Sequence, residues 1–198
     1  MPPVAWAPIP VRRRRRWPWT LLFTAVAFVA CCCGVPAYLG KPVLDQYPAK
    51  ASLPAKVGDL TLRNDGSSRS TARDLERDMR TAHLMAEDTF AGVYGDRDGK
   101  RVTVFGATGF RWDTQSAMED EFSRLTAKYR LSNVRDVTDG TERDEYRRCG
   151  IGRQGDATVV ACTWADHGSV GTALFTRRAL DESADLLGTL REAILRRP

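Results

Sequence analysis

The sequence predicts an α+β domain, in which a mainly antiparallel sheet carries about three helices on one side, preceded by one transmembrane helix. Three observations predict it. Five consecutive arginines, Arg12, Arg13, Arg14, Arg15 and Arg16, stand before an uncharged run from Trp17 to Gly40. Three later segments repeat apolar residues every three or four positions. The runs Tyr146 to Ile151, Thr158 to Trp164 and Val170 to Thr176 are separated only by short turns, so hairpins outnumber crossovers.

The residues from Trp19 to Leu39 carry no charge, and as a helix they would reach roughly 31 Å, about the depth of a bilayer's hydrocarbon core. Inside lipid a spanning segment must satisfy its own backbone groups, which requires a helix. Thr20 and Thr24 can return their hydroxyls to the preceding turn, and Trp17, Trp19 and Tyr38 are rings suited to headgroup depth. Arginine beside a span resists translocation, which puts the amino terminus in the cytoplasm and the rest of the chain outside. The expected organisation is a basic tail at 1–16, a transmembrane helix at 17–39, a Pro-containing stalk at 40–56 and an extracytoplasmic domain at 57–198. Two rival readings share this pattern. One is a secretory signal cut after Val35-Pro36-Ala37, which the long apolar stretch argues against. The other is a lipoprotein acylated at Cys31, for which Phe28 is a poor match. All three readings export the C-terminal part.

The formal charge of +5 raises the question of a polyanionic partner. Arg12 to Arg16 account for all of it, because the other 25 of the 30 Lys and Arg balance the 25 Asp and Glu. The basic character is a topology signal, and no nucleic-acid partner is expected. Lys supplies few of the basic residues while Ala and Gly are plentiful, a bias of GC-rich coding that points to a bacterium. Cys31, Cys32 and Cys33 fall in the apolar run as small packing residues, which leaves Cys149 and Cys162 to pair in an oxidising compartment.

Pro42, Pro48 and Pro54 fix φ locally and disfavour helix, hence the stalk. Val57, Leu60 and Leu62 suggest a short strand, followed by a turn at Asn64-Asp65-Gly66. The first helix is expected from Ser70 to Glu87 on the stripe Leu75, Met79, Ala82 and Ala86. The second is expected from Thr114 to Arg130, with Met118, Phe122, Leu125 and Tyr129 inward and Ser116 with Glu119 as a capping box. The third is expected from Ala179 to Leu195, with acidic residues early and Arg196 and Arg197 at its negative end. Strands at Phe90 to Tyr94 and Arg101 to Phe105 flank a glycine-bounded loop, and a further strand is read at Asn133 to Val137.

A two-residue loop at Gly155-Asp156 makes facing residues sum to 311, which sets Cys149 opposite Cys162. Closing so short a loop with a disulfide contributes about 3 kcal/mol in the chain-entropy account. A loop of Asp166-His167-Gly168 sets Trp164 opposite Val170 and Val160 opposite Leu174, so that Ile151, Val160, Cys162, Trp164, Val170 and Leu174 share a core face.

His83 is read as a half-buried packing residue, since no second ligand stands at metal spacing. Asp166 beside His167 is the arrangement that orients a general base, although turn geometry explains both residues as well. Arg73, Arg77 and Arg80 among Asp74, Glu76 and Asp78, and the cluster Glu119, Asp120 and Glu121, read as solvated helix faces. The glycines from Gly95 to Gly106 lack phosphate-loop spacing. No catalytic, cofactor-binding or metal-ligating set is expected.

The segment Cys162-Thr163-Trp164-Ala165-Asp166, followed by Gly171, resembles one found in uncharacterised exported or single-pass membrane proteins of actinobacteria, across about the last 50 residues. The resemblance implies location and a disulfide, and brings no activity and no functional residues. The expected function is therefore a membrane-anchored extracytoplasmic binding or interaction domain, with the lipid bilayer and another envelope protein as partners. Two alternatives stand beside it. One is an envelope hydrolase or transferase using Asp166 and His167. The other is an accessory subunit of a secretion or cell-wall complex whose anchor packs through Ala25, Ala27, Ala30 and Gly34.

Overall fold

The computed structural model describes residues 17–30, 35–137 and 144–197, with five helices and ten strands among them. Arg12 to Arg16, Cys31, Cys32, Cys33 and Gly34 lie outside the described residues. The chain divides into two compact units, Met1–Lys41 and Pro42–Pro198.

In the first unit α1 (Trp17–Val29) is 13 residues long and exposes Leu21, Leu22, Phe23 and Val26. Thr24 donates its hydroxyl to the Leu21 carbonyl at 3.0 Å. No helix among the described residues is long and apolar enough to cross a membrane. The run from 17 to 39 is divided by residues 31–34, which are outside the description.

α2 (Val35–Gln46) continues through Pro42 into the second unit. Residues 42–56, most of the segment expected as a stalk, belong to the second unit. Gln46 and Ala49 are buried, and β1 (Lys50–Ala51) pairs antiparallel with β10 (Leu195–Arg196). The prolines limit regular structure only locally, and a buried amide plus a short ladder suffice to tie the segment to the fold.

An eight-stranded sheet forms the centre, built from β2 (Lys56–Val57), β3 (Leu60–Leu62), β4 (Asp88–Gly95), β5 (Arg101–Thr108), β6 (Ser132–Asp136), β7 (Tyr146–Gln154), β8 (Ala157–Ala165) and β9 (Ser169–Thr176). Its order is β2-β3-β4-β5-β9-β8-β7-β6, and each adjacent pair is antiparallel. The helices α3 (Gly66–Ala82), α4 (Thr114–Tyr129) and α5 (Leu180–Ile194) cover it on both faces, not on one as expected. Leu187, Leu190 and Ile194 of α5 pack on Val104, Val160, Cys162, Trp164 and Phe175. On the opposite face Leu75, Met79, Met118, Phe122 and Leu125 of α3 and α4 pack on Phe105, Ala161, Val170 and Leu174.

The register of the last hairpin explains the second face. Asp166 and Ser169 exchange backbone hydrogen bonds, so the loop is the two residues His167 and Gly168 rather than three. Trp164 therefore faces Gly171, and Val160 faces Phe175. A one-residue slip turns every side chain of a strand over. Val170 and Leu174 consequently leave the face shared by Ile151, Val160, Cys162 and Trp164 and seed the core beneath α3 and α4.

The first hairpin of the meander follows its turn chemistry. Gln154 pairs with Ala157 around Gly155, which has φ +61°, and Cys149 faces Cys162. The two are joined in a disulfide across a sequence separation of 13. Replacing both with serine is expected to remove about 3 kcal/mol of stability without changing the fold. Urea unfolding of the variant beside the oxidised wild type measures it, and equal midpoints would discard the expectation.

Helix ends depart from expectation where aspartates compete. Asp65 caps α3 by accepting from the Ser68 N–H, and Asp113 caps α4 through Ser116, in place of the turn and the capping box read from sequence. α3 stops at Ala82, since His83 turns the chain so that β4 can start at Asp88. α5 gives way to β10, so Arg196 and Arg197 do not sit at a helix end.

Candidate functional site

One end of the sheet gathers four segments far apart in sequence: the arriving chain at Gln46 and Tyr47, the turn after α3, the loop between β5 and α4, and the tip of the last hairpin. The His167 N–H donates to Gln46 Oε1 at 2.9 Å. Gly109 and Arg111 donate their N–H groups to the carbonyls of Gly168 and His167, and the Glu87 N–H donates to Thr108 O. The Tyr47 hydroxyl donates to Glu87 Oε1 at 2.7 Å, and its ring meets Phe110 edge-on at 5.4 Å.

Asp166 lies under this end and is fully buried. Its Oδ1 accepts from the N–H groups of Gly168 and Ser169 and from the Ser169 hydroxyl, which closes the hairpin tip. Its Oδ2 takes Arg191 at 3.0 Å and Arg197 at 2.8 Å. Arg191 also reaches Glu145 at 2.7 Å, and Glu145 pairs in turn with Arg147. The Trp164 indole N–H donates to Ser169 Oγ at 3.0 Å. Cys162, Trp164 and Asp166 of the Cys-Thr-Trp-Ala-Asp segment thus each hold the fold, through a disulfide, a core ring and an ionic hub.

The Asp–His pairing that would orient a general base is not formed. His167 Nδ1 is 2.7 Å from the Arg111 carbonyl and Nε2 is 3.7 Å from Asp144, while the carboxylate of Asp166 points into the hub. Both oxygens of a buried carboxylate are then committed to structure.

A second carboxylate, Glu121, departs from the solvated helix face expected for it. Glu121 is 1% exposed, whereas Glu119 and Asp120 are solvated. Arg124 grips it with two donors at 2.7 and 2.9 Å, His83 Nε2 lies 3.3 Å away, and the Thr172 hydroxyl is 3.3 Å away. The cluster joins the end of α3, α4 and β9. Its signal was present, because Glu121 follows Met118 by three residues and so falls on the buried stripe. Burial pushes the Glu121 carboxyl up, but hydrogen bonds from His83 and Arg124 together outweigh it and hold the group below its ordinary value. Asp113 is held down as well, by the Ser116 N–H and hydroxyl.

A depressed carboxylate contributes stability that is complete above its unfolded value and is lost as pH falls through the folded one. Stability is therefore expected to decline below about pH 4. In Glu121→Gln the acid decline should be shallower, and the loss at neutral pH about 2 kcal/mol, from a weakened charge-assisted bond to Arg124. Thermal melts from neutral to acid pH measure both, and parallel acid limbs in the two proteins would reject the assignment.

Arg73, Arg77 and Arg80 stay on the solvated face of α3, where Arg77 pairs with Asp74 at 3.2 Å. Among the described residues no group of three or more His, Cys, Asp or Glu is placed to hold a metal ion. A cleft of about 530 Å³ lies between α5 and β6–β7, bridged by Arg135 to Asp181 at 2.7 Å.

The exposed rim of the gathered end is apolar. Leu84 is 89% exposed, Met85 88% and Trp112 83%, and Phe110 packs edge-on against Trp112 at 6.3 Å. Leu84 and Met85 lie beyond the end of α3 at Ala82, within the range 70–87 expected to be helical, and Trp112 lies in a loop that no periodicity marks. No family model, curated protein or solved structure matches the chain.

Proposed function

We propose that this chain is a membrane-anchored extracytoplasmic interaction domain. The observation that carries the reading is the junction of Arg12 to Arg16 with the uncharged run through Gly40. α1 alone, at about 1.5 Å per residue, is roughly 20 Å long, so the proposed span requires the run to continue through residues 31–34 toward Leu39. The Cys149–Cys162 disulfide supports export, because such bonds persist in oxidising compartments. The commitment of Asp166 to a buried ionic hub supports a binding role over hydrolysis or group transfer.

Sidedness is tested with the full chain in bacterial cells. Protease added to spheroplasts is expected to remove the domain, and alkaline carbonate should leave the anchor in the membrane. Digestion only after lysis would reverse the topology. A Val26→Arg variant places a charge in the run at an insertion cost of about 3 kcal/mol and should reduce membrane retention. Unchanged retention would remove the run from the anchoring role.

A further inference from the structure

We infer that the rim bearing Tyr47, Leu84, Met85, Phe110 and Trp112 docks into the headgroup layer of the bilayer, so that the domain rests on the membrane. The inference deepens the anchored reading and rests on it.

Leu84, Met85, Phe110 and Trp112 are exposed, Tyr47 is half-buried against Phe110, and all five lie on neighbouring turns of one end of the domain. Leu84, Met85 and Trp112 belong to neither core cluster, and adjoining exposed apolar groups mark contact surfaces. The chain chooses the occupant. The uncharged run ends at Gly40, and Gln46 and Tyr47 are fastened to this end by the bonds to His167 and Glu87. The intervening residues cover about 9 Å as helix and about 20 Å fully extended. The headgroup layer is itself roughly 5–8 Å thick on each side. Chain length therefore lets the rim reach that layer, and the apolar side chains supply the reason for it to stay there.

Tryptophan and tyrosine partition to this depth, and the flanking leucine and methionine reach the acyl boundary. Charged residues around the rim are of both signs, including Asp45, Glu87, Arg111 and Asp113. Docking is therefore apolar, indifferent to lipid charge and to salt.

The test uses the full chain reconstituted in phosphatidylcholine vesicles. Trp112 emission is isolated as the difference between wild type and Trp112→Phe, since Trp6, Trp17, Trp19 and Trp164 are common to both. Phosphatidylcholine brominated near the glycerol end of the acyl chains should quench about half or more of that emission, unchanged in high salt. A Leu84→Asp, Met85→Asp variant, altered only at exposed positions, should abolish the quenching while the protein stays carbonate-resistant. Carbonate resistance with unquenched, water-like Trp112 emission overturns the docking and leaves the anchor standing. Release by carbonate overturns both. Emission shielded from water but not quenched, and rising with protein-to-lipid ratio, assigns the rim to a second copy and overturns the proposal.

Discussion

Replacing Asp166 with alanine is expected to destabilise the domain by about 3–5 kcal/mol, the range for removing one partner of a buried ion network. Two carboxylates, Asp166 and Glu145, sit among Arg147, Arg191 and Arg197. Deleting Asp166 removes the carboxylate that Arg191 and Arg197 share and leaves the Arg191–Glu145 pair. The same deletion strips the acceptor from the Gly168 and Ser169 N–H groups, which loosens the hairpin tip that fixes the β8–β9 register. For a chain of this size the melting temperature should drop by roughly 6–20 °C. Asp166→Asn keeps the shape and one acceptor for the turn, so it should cost less than alanine while still weakening Arg191 and Arg197. Thermal melts of the three proteins order the effects. An alanine variant melting with the wild type would show that the hub contributes nothing net.

Gly171→Val is the second large effect. At the centre of the sheet Gly106 faces Gly171, and neither has room for a side chain. A Cβ at Gly171 would stand 2.3 Å from the Trp164 ring, which is fully buried, and that ring stacks on Phe90 at 6.3 Å. Phe90 in turn would lie 2.6 Å from a Cβ at Gly106. The two glycines are the floor on which two aromatic rings lie, so the added methyls have to displace packed rings or separate β5 from β9. Overpacking of this kind costs about 3 kcal/mol at the upper end of its usual range. The expected signature is loss of near-UV circular dichroism, as the rings lose fixed packing, before far-UV signal falls. The variant Thr158→Val, at the exposed start of the neighbouring β8, is the control and should melt near the wild type. Equal melts for all three would mean that the rings relocate freely.

Much of the fold is legible locally. The stripe Met118, Phe122, Leu125 and Tyr129 marks α4 because a helix brings every third or fourth residue to one side. Gly155 with Asp156 sets the Cys149–Cys162 register because a two-residue turn admits one pairing. Where two local signals compete, sequence reading errs. Asp65 reads as a turn residue and serves as a helix cap, two uses of the same acceptor. At Asp166-His167-Gly168 the turn residues do not distinguish a two-residue from a three-residue loop, and the difference is decided by hydrogen bonds from Ser169 to Asp166.

The candidate site was less legible than the fold. Its rim draws on Tyr47, Leu84, Met85, Phe110 and Trp112, and the bond from His167 to Gln46 spans 121 positions. Loop residues obey no period, so nothing in their order announces that they meet.

By itself the amino-acid order determined where α4 and α5 lie, which strands form hairpins and which cysteines pair, because each depends on geometry repeated within a turn or across one short loop. Tertiary structure alone decided that both faces of the sheet are covered, that Asp166 and Glu121 are interior anions, and that distant apolar loops share one rim. Those outcomes depend on which groups are carried out of water together, and burial is a property of the assembled layers rather than of any segment.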